Sequence, residues 1–135
     1  MTAKKVLRHI FRFHGFFESM NFALKGMRYL FLYHRNMRII FMLGFIAFLL
    51  GVYLKLAGIE LVALCITITL VFMAEIFNTA IEMLMNMVSI KYHIRVKLVK
   101  DIAAAVVLLA SLNALAIGYN LFTKRLFLLF KAFFN

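Results

Sequence analysis

Three long apolar runs, residues 39–56, 61–88 and 98–122, occupy more than half of a chain of 135 residues. Each is long enough, or nearly so, to carry a helix across a hydrocarbon core of ~30 Å. A soluble domain could not cover them, because 66% of the residues are hydrophobic and only 16% charged,. The bilayer is the solvent of this chain. The fold expected is an all-α membrane protein, with three transmembrane helices preceded by an amphipathic surface helix, in one membrane domain over residues 1–135.

Residues 1–38 form a basic, aromatic cytoplasmic segment in which Val6, Ile10, Phe13 and Phe17 share a helical face while Lys5, Arg8 and Arg12 share another,. That pattern suits a helix lying on the membrane. Gly58 and Glu60 mark a short turn between the first and second spans. The second run reads as one helix of roughly 42 Å, longer than the core, so it tilts or projects, and its polar second half is where it emerges. The tail, residues 123–135, places Lys124, Arg125 and Lys131 among phenylalanines and leucines at the opposite interface,. The first apolar run begins after eight basic residues, so the first span is expected to stay in the mature chain rather than leave as a signal peptide,.

The formal charge of +11 comes from 16 Lys and Arg against five acidic residues. Cations beside spans attract anionic lipid headgroups and hold the topology, so no nucleic-acid partner is expected. Three crossings put twelve of the 16 on the side of the amino terminus, in residues 1–38 and around the connection before the third span. The amino terminus is thus expected in the cytoplasm, with the chain multi-pass in the inner (plasma) membrane. Lys91, Arg95 and Lys97 read as topology charges, and Tyr92 and His93 as interfacial anchors. Cys65, the single cysteine, excludes an intramolecular disulfide and a thiolate-built metal site,.

Carboxylates inside a span are costly, so Glu75 and Glu82 demand a reason. Together with Asn78, Thr79 and Asn86 they recur at steps of three and four, forming one polar stripe on an apolar helix,. Counted from Leu61, Glu75 lies ~21 Å and Glu82 ~32 Å along the helix, one in the inner leaflet and the other near the cytoplasmic surface. A carboxylate at the first depth can reach a lipid hydroxyl and act as a general base. One at the second can hold Mg²⁺ with nucleotide phosphates. Lys100 and Asp101 enter the third span from that same surface, and His34 and Arg35 precede the first span there. Polar residues also bind helices together without further function, the reading adopted for Ser111 and Asn113. No Gly-rich phosphate loop is present, so spacing alone does not derive nucleotide binding.

The run Glu75-Ile76-Phe77-Asn78-Thr79-Ala80-Ile81-Glu82 resembles the signature of the prokaryotic diacylglycerol kinase family, which includes the undecaprenol kinases. Tyr92-His93 and then Lys100-Asp101-Ile102-Ala103-Ala104-Ala105 are similar to the family's second block at the expected distance. Upstream, Lys25-Gly26-Met27-Arg28 and Arg35-Asn36-Met37-Arg38 look like its surface-helix region, so the resemblance covers about residues 20–122. It implies ATP-dependent phosphorylation of a membrane lipid substrate by a homotrimer with sites shared between subunits. Glu75 would match the general base, Asn78 a positioning group, Glu82 a metal ligand, and Lys100 with Asp101 nucleotide or lipid contacts. His34 takes the place of the second metal-binding glutamate, and Asn86 that of a common aspartate. Imidazole is a poor ligand for Mg²⁺, a hard cation that prefers oxygen. An active kinase, an impaired member that binds lipid or a partner, and an ion path lined by the glutamates all stay open from the residues.

Overall fold

The computed structural model describes residues 15–88 and 94–134. Val6, Ile10 and Phe13 of the expected surface face, and Lys91, Tyr92 and His93, lie outside the described residues. Four helices follow in order: α1 (Phe16–Tyr33), α2 (Arg35–Tyr53), α3 (Ile59–Val88) and α4 (Ile94–Phe134), and no strand occurs among the described residues. The all-α expectation holds. Two compact units divide the chain, Met1–Arg35 and Asn36–Asn135.

In the first unit, α1 starts after Gly15 with no side-chain cap, and Glu18 in its first turn complements the helix dipole,. The helix ends at His34, which turns extended and donates its N–H to the Leu30 carbonyl at 2.9 Å. No side chain of α1 is buried. Tyr29 meets the Tyr33 ring at 4.8 Å and the His34 ring at 5.9 Å.

In the second unit, α2 and α3 run antiparallel, as three contacts show. Phe41 meets Phe72 edge-on at 5.9 Å, a Cβ on Gly44 would lie 2.9 Å from Ile68 Cγ2, and one on Gly51 would lie 2.7 Å from Leu64 Cδ2. Positions rising along α2 thus meet positions falling along α3. Lipid tails are as apolar as leucine, so helices in a membrane associate through close van der Waals packing, which small residues permit. Gly44 and Gly51 leave room at the α2–α3 seam for the Ile68 and Leu64 side chains.

The turn between these helices is built from backbone hydrogen bonds. Leu56 N–H reaches the Gly51 carbonyl at 2.9 Å and Lys55 N–H the Val52 carbonyl at 3.0 Å, the pair of bonds that closes a Schellman motif,. That motif needs a left-handed residue, normally glycine, yet here Lys55 takes it with φ 58°,. Leu56, the residue after it, is buried. Gly58, with φ 55°, redirects the chain into α3.

From there α3 pairs with α4, also antiparallel: a residue near the end of α3 bonds one near the start of α4, and the reverse holds at the other end. Leu64, Thr67, Ala74, Glu75 and Thr79 form the buried stripe of α3 at helical spacing,. Thr67 satisfies its hydroxyl on the Ala63 carbonyl at 2.8 Å, as a polar group must where water is absent,. The 41 residues of α4 correspond to roughly 62 Å, so the helix continues unbroken through the residues read from sequence as a tail,.

Candidate active site

The polar stripe of α3 divides into a buried and an exposed half. Glu75 is 4% and Thr79 2% exposed, whereas Glu82 and Asn86 are open to the surroundings. The cause is the helical period: steps of three and four keep these side chains on one face while the helix passes from the packed bundle to its end. Seven residues separate the two glutamates, ~10 Å along the axis. Among the described residues, no hydrogen bond reaches the Glu75 carboxylate.

Asn78, one turn beyond Glu75, places its Oδ1 in the interior with no hydrogen-bond partner. An unpaired buried acceptor costs on the order of 1–3 kcal/mol, and a ligand hydroxyl would remove that cost. At the exposed end, Lys100 Nζ donates to Asn86 Oδ1 at 2.6 Å and ties the start of α4 to the end of α3. An amide accepts this bond without neutralising the ammonium, which keeps its charge and its other donors. Asp101 is exposed beside it in sequence. Ala103, one turn after Lys100, is buried, so α4 enters its packed part within a turn of these charges.

Glu75, Asn78, Glu82, Asn86, Lys100 and Asp101 all belong to α3 and α4, and the Asn86–Lys100 bond brings the two sequence blocks together. His34 belongs to the first unit, at the end of α1. Among the described residues, no group of three His, Cys, Asp or Glu gathers to enclose a metal. Mg²⁺ commonly takes one or two protein carboxylates and completes its shell with phosphates and water. The Glu82 carboxylate, open at the helix end, fits that habit, and the His34 imidazole does not.

A second polar cluster, at the other end of the hairpin, escaped the sequence reading. Arg125 donates to the Leu54 carbonyl at 2.7 Å, to the Lys55 carbonyl at 2.5 Å, and to the Glu60 carboxylate. One guanidinium therefore holds the Leu54 and Lys55 carbonyls of the turn after α2 and the first turn of α3,. Sequence offered Glu60 as a turn marker and Arg125 as a tail charge, with no local signal joining residues 65 apart.

Three helices, α2, α3 and the part of α4 over Ile94–Lys131, are long and apolar enough to cross a bilayer. Most of their large apolar side chains, such as Phe45, Leu70 and Leu109, face outward. Such a surface belongs in lipid, and the chain is an integral membrane protein with a carboxylate-bearing helical hairpin. Residues 21–122 match the family described as prokaryotic diacylglycerol kinase, and the chain belongs to that family. A protein of Synechocystis sp. (strain ATCC 27184 / PCC 6803 / Kazusa) named diacylglycerol kinase is 36% identical over 101 residues, covering 74% of this chain and 58% of that relative.

Proposed function

We propose that this chain transfers the terminal phosphoryl group of ATP to the hydroxyl of a membrane lipid, undecaprenol or diacylglycerol, at the cytoplasmic surface of the inner membrane. The observation that carries this reading is the buried residue Glu75, on a stripe that ends at the Asn86–Lys100 bond within the matched residues. A base for a lipid hydroxyl belongs inside the bilayer edge, and groups for a charged nucleotide belong at the helix end.

Glu75 accepts the proton as the lipid oxygen attacks phosphorus, the bond from phosphorus to the bridging oxygen breaks, and ADP departs with that oxygen. The buried Asn78 Oδ1 accepts a hydrogen bond from the substrate headgroup and fixes its orientation,. Lys100, anchored by a neutral amide, offers its remaining donors to phosphate oxygens, and Asp101 contacts nucleotide or lipid. Glu82 would hold Mg²⁺ together with the nucleotide, and the ion would supply positive charge against the phosphates. Burial of Glu75 keeps bulk water away from the attacking position and favours transfer to lipid over hydrolysis.

A homotrimer belongs to this proposal. Asn113 lies about midway along α4 between Lys100 and Arg125, yet it is exposed in the single chain. An amide facing hydrocarbon is unfavourable, and a neighbouring subunit covers it. The orientation rests on the Lys and Arg count, with the amino terminus cytoplasmic.

ATP-dependent phosphorylation of undecaprenol and of diacylglycerol, assayed in mixed micelles with Mg²⁺, tests the reading. Transfer is expected from the native chain and is expected to fall ~10²–10⁴-fold in Glu75→Gln, the range a general base contributes. Absence of transfer to either lipid from folded protein would overturn it. An impaired family member is the second reading, favoured by the imidazole of His34 and by the uncharged Asn86. His34→Glu separates the two: a gain of transfer marks impairment, and a loss marks a site adapted to histidine.

A further inference from the structure

A groove of about 770 Å³ opens at the turn end of the bundle, lined in part by Tyr53, Lys55, Glu60, Lys124, Arg125 and Leu129. We propose that it binds the phosphodiester headgroup of an anionic phospholipid, in the leaflet opposite the one that Glu82 and Lys100 face. The site is distinct from the kinase centre: Glu60 and Glu82 are 22 residues apart on α3, ~33 Å along its axis.

Charge points to an anion. Lys55, Lys124 and Arg125 face a single carboxylate, Glu60, so the groove carries two uncompensated positive charges. Arg125 is spent on Glu60 and on two carbonyls, which makes it the scaffold of the site. No hydrogen bond or ion pair engages the Lys55 or Lys124 ammonium among the described residues. The Schellman turn holds Lys55 in a left-handed conformation that lysine seldom adopts, and this presents its side chain, exposed, at the groove,.

Position points to a lipid. The groove sits at the turn where α2 ends and α3 begins, beside α4, and a turn joining two spans lies at a membrane face; Leu54, Leu121 and Leu129 add apolar lining beside the lysines,. Leu121, Arg125 and Leu129 recur at steps of four on α4, so an acyl chain can follow the leucines while the phosphate meets the lysines,. A soluble phosphate has no use for that apolar wall. Tyr53, 75% exposed at the rim, has the amphipathic ring suited to the headgroup layer,.

Native mass spectrometry of the full chain, released from vesicles of equal phosphatidylglycerol and phosphatidylcholine, tests the proposal. The native protein should retain the anionic lipid preferentially. Lys55→Asn combined with Lys124→Gln should lose that preference at least about tenfold, the asparagine being chosen because it tolerates the left-handed turn. The charge-matched pair Arg38→Gln with Lys97→Gln should keep it, and soluble glycerophosphate should not displace the lipid. Equal retention by the native chain of both lipids overturns the proposal without reference to any variant. So does unchanged preference in the Lys55 and Lys124 variant, equal loss in the control pair, or displacement by glycerophosphate. None of these readouts depends on phosphate transfer.

Discussion

The two ends of the α3–α4 hairpin are each closed by a cation, and they treat it differently. At one end Lys100 makes a single bond to a neutral amide and keeps its charge, with Glu82 and Asp101 exposed nearby in sequence. At the other, Arg125 spends its guanidinium on two backbone carbonyls and a carboxylate. Polar capacity left unused is capacity for a ligand. Polar capacity consumed by backbone is architecture, because the carbonyls that follow a helix end have no partner within the helix. The same contrast separates Arg125 from its neighbours Lys55 and Lys124, whose donors stay open.

The largest effects should fall on opposite properties at the two ends. Glu75→Gln should leave helicity and SDS resistance close to native while transfer collapses by the ~10²–10⁴-fold of a lost general base. Arg125→Met should do the reverse, lowering unfolding free energy in SDS titration by about 1–3 kcal/mol while folded protein keeps its transfer rate. The figure is held low because Arg125 and Glu60 are about a third exposed and partly screened,. Equal loss of activity and stability in both variants would erase the distinction between the ends.

Smaller changes sharpen it. Asn86→Leu frees Lys100 from its anchor, which should raise KM for ATP roughly 3–10-fold, the equivalent of one net hydrogen bond, with kcat little altered. A change in kcat alone would place Lys100 in bond breaking instead. Lys55→Gly should stabilise the turn by up to about 1 kcal/mol, since glycine accepts the left-handed conformation without strain,. Thermal unfolding in detergent reads that shift, and destabilisation would mean that the lysine side chain itself supports the turn.

Much of the candidate site is legible in the sequence, because its signals are local. The recurrence of Glu75, Asn78, Thr79, Glu82 and Asn86 needs only the helical period to become one face. The placement of Lys100 and Asp101 at the same end needs only that two spans be joined by a short connection. Gly44 and Gly51, seven residues apart, carried a readable sign of close helix approach that the apolar background concealed,. Arg125 carried none: in a basic, aromatic tail it looks like Lys124 or Lys131.

Sequence alone determined the solvent, the three spans, the polar stripe and the family, since each follows from composition, length or spacing along one helix. Tertiary structure alone decided that Lys100 meets Asn86, that Asn78 keeps a buried acceptor free, and that Arg125 closes the turn between α2 and α3. The reason is register. A helical period says which side chains share a face, but which faces meet across helices is set by how α3 packs on α4 and by where the chain turns,.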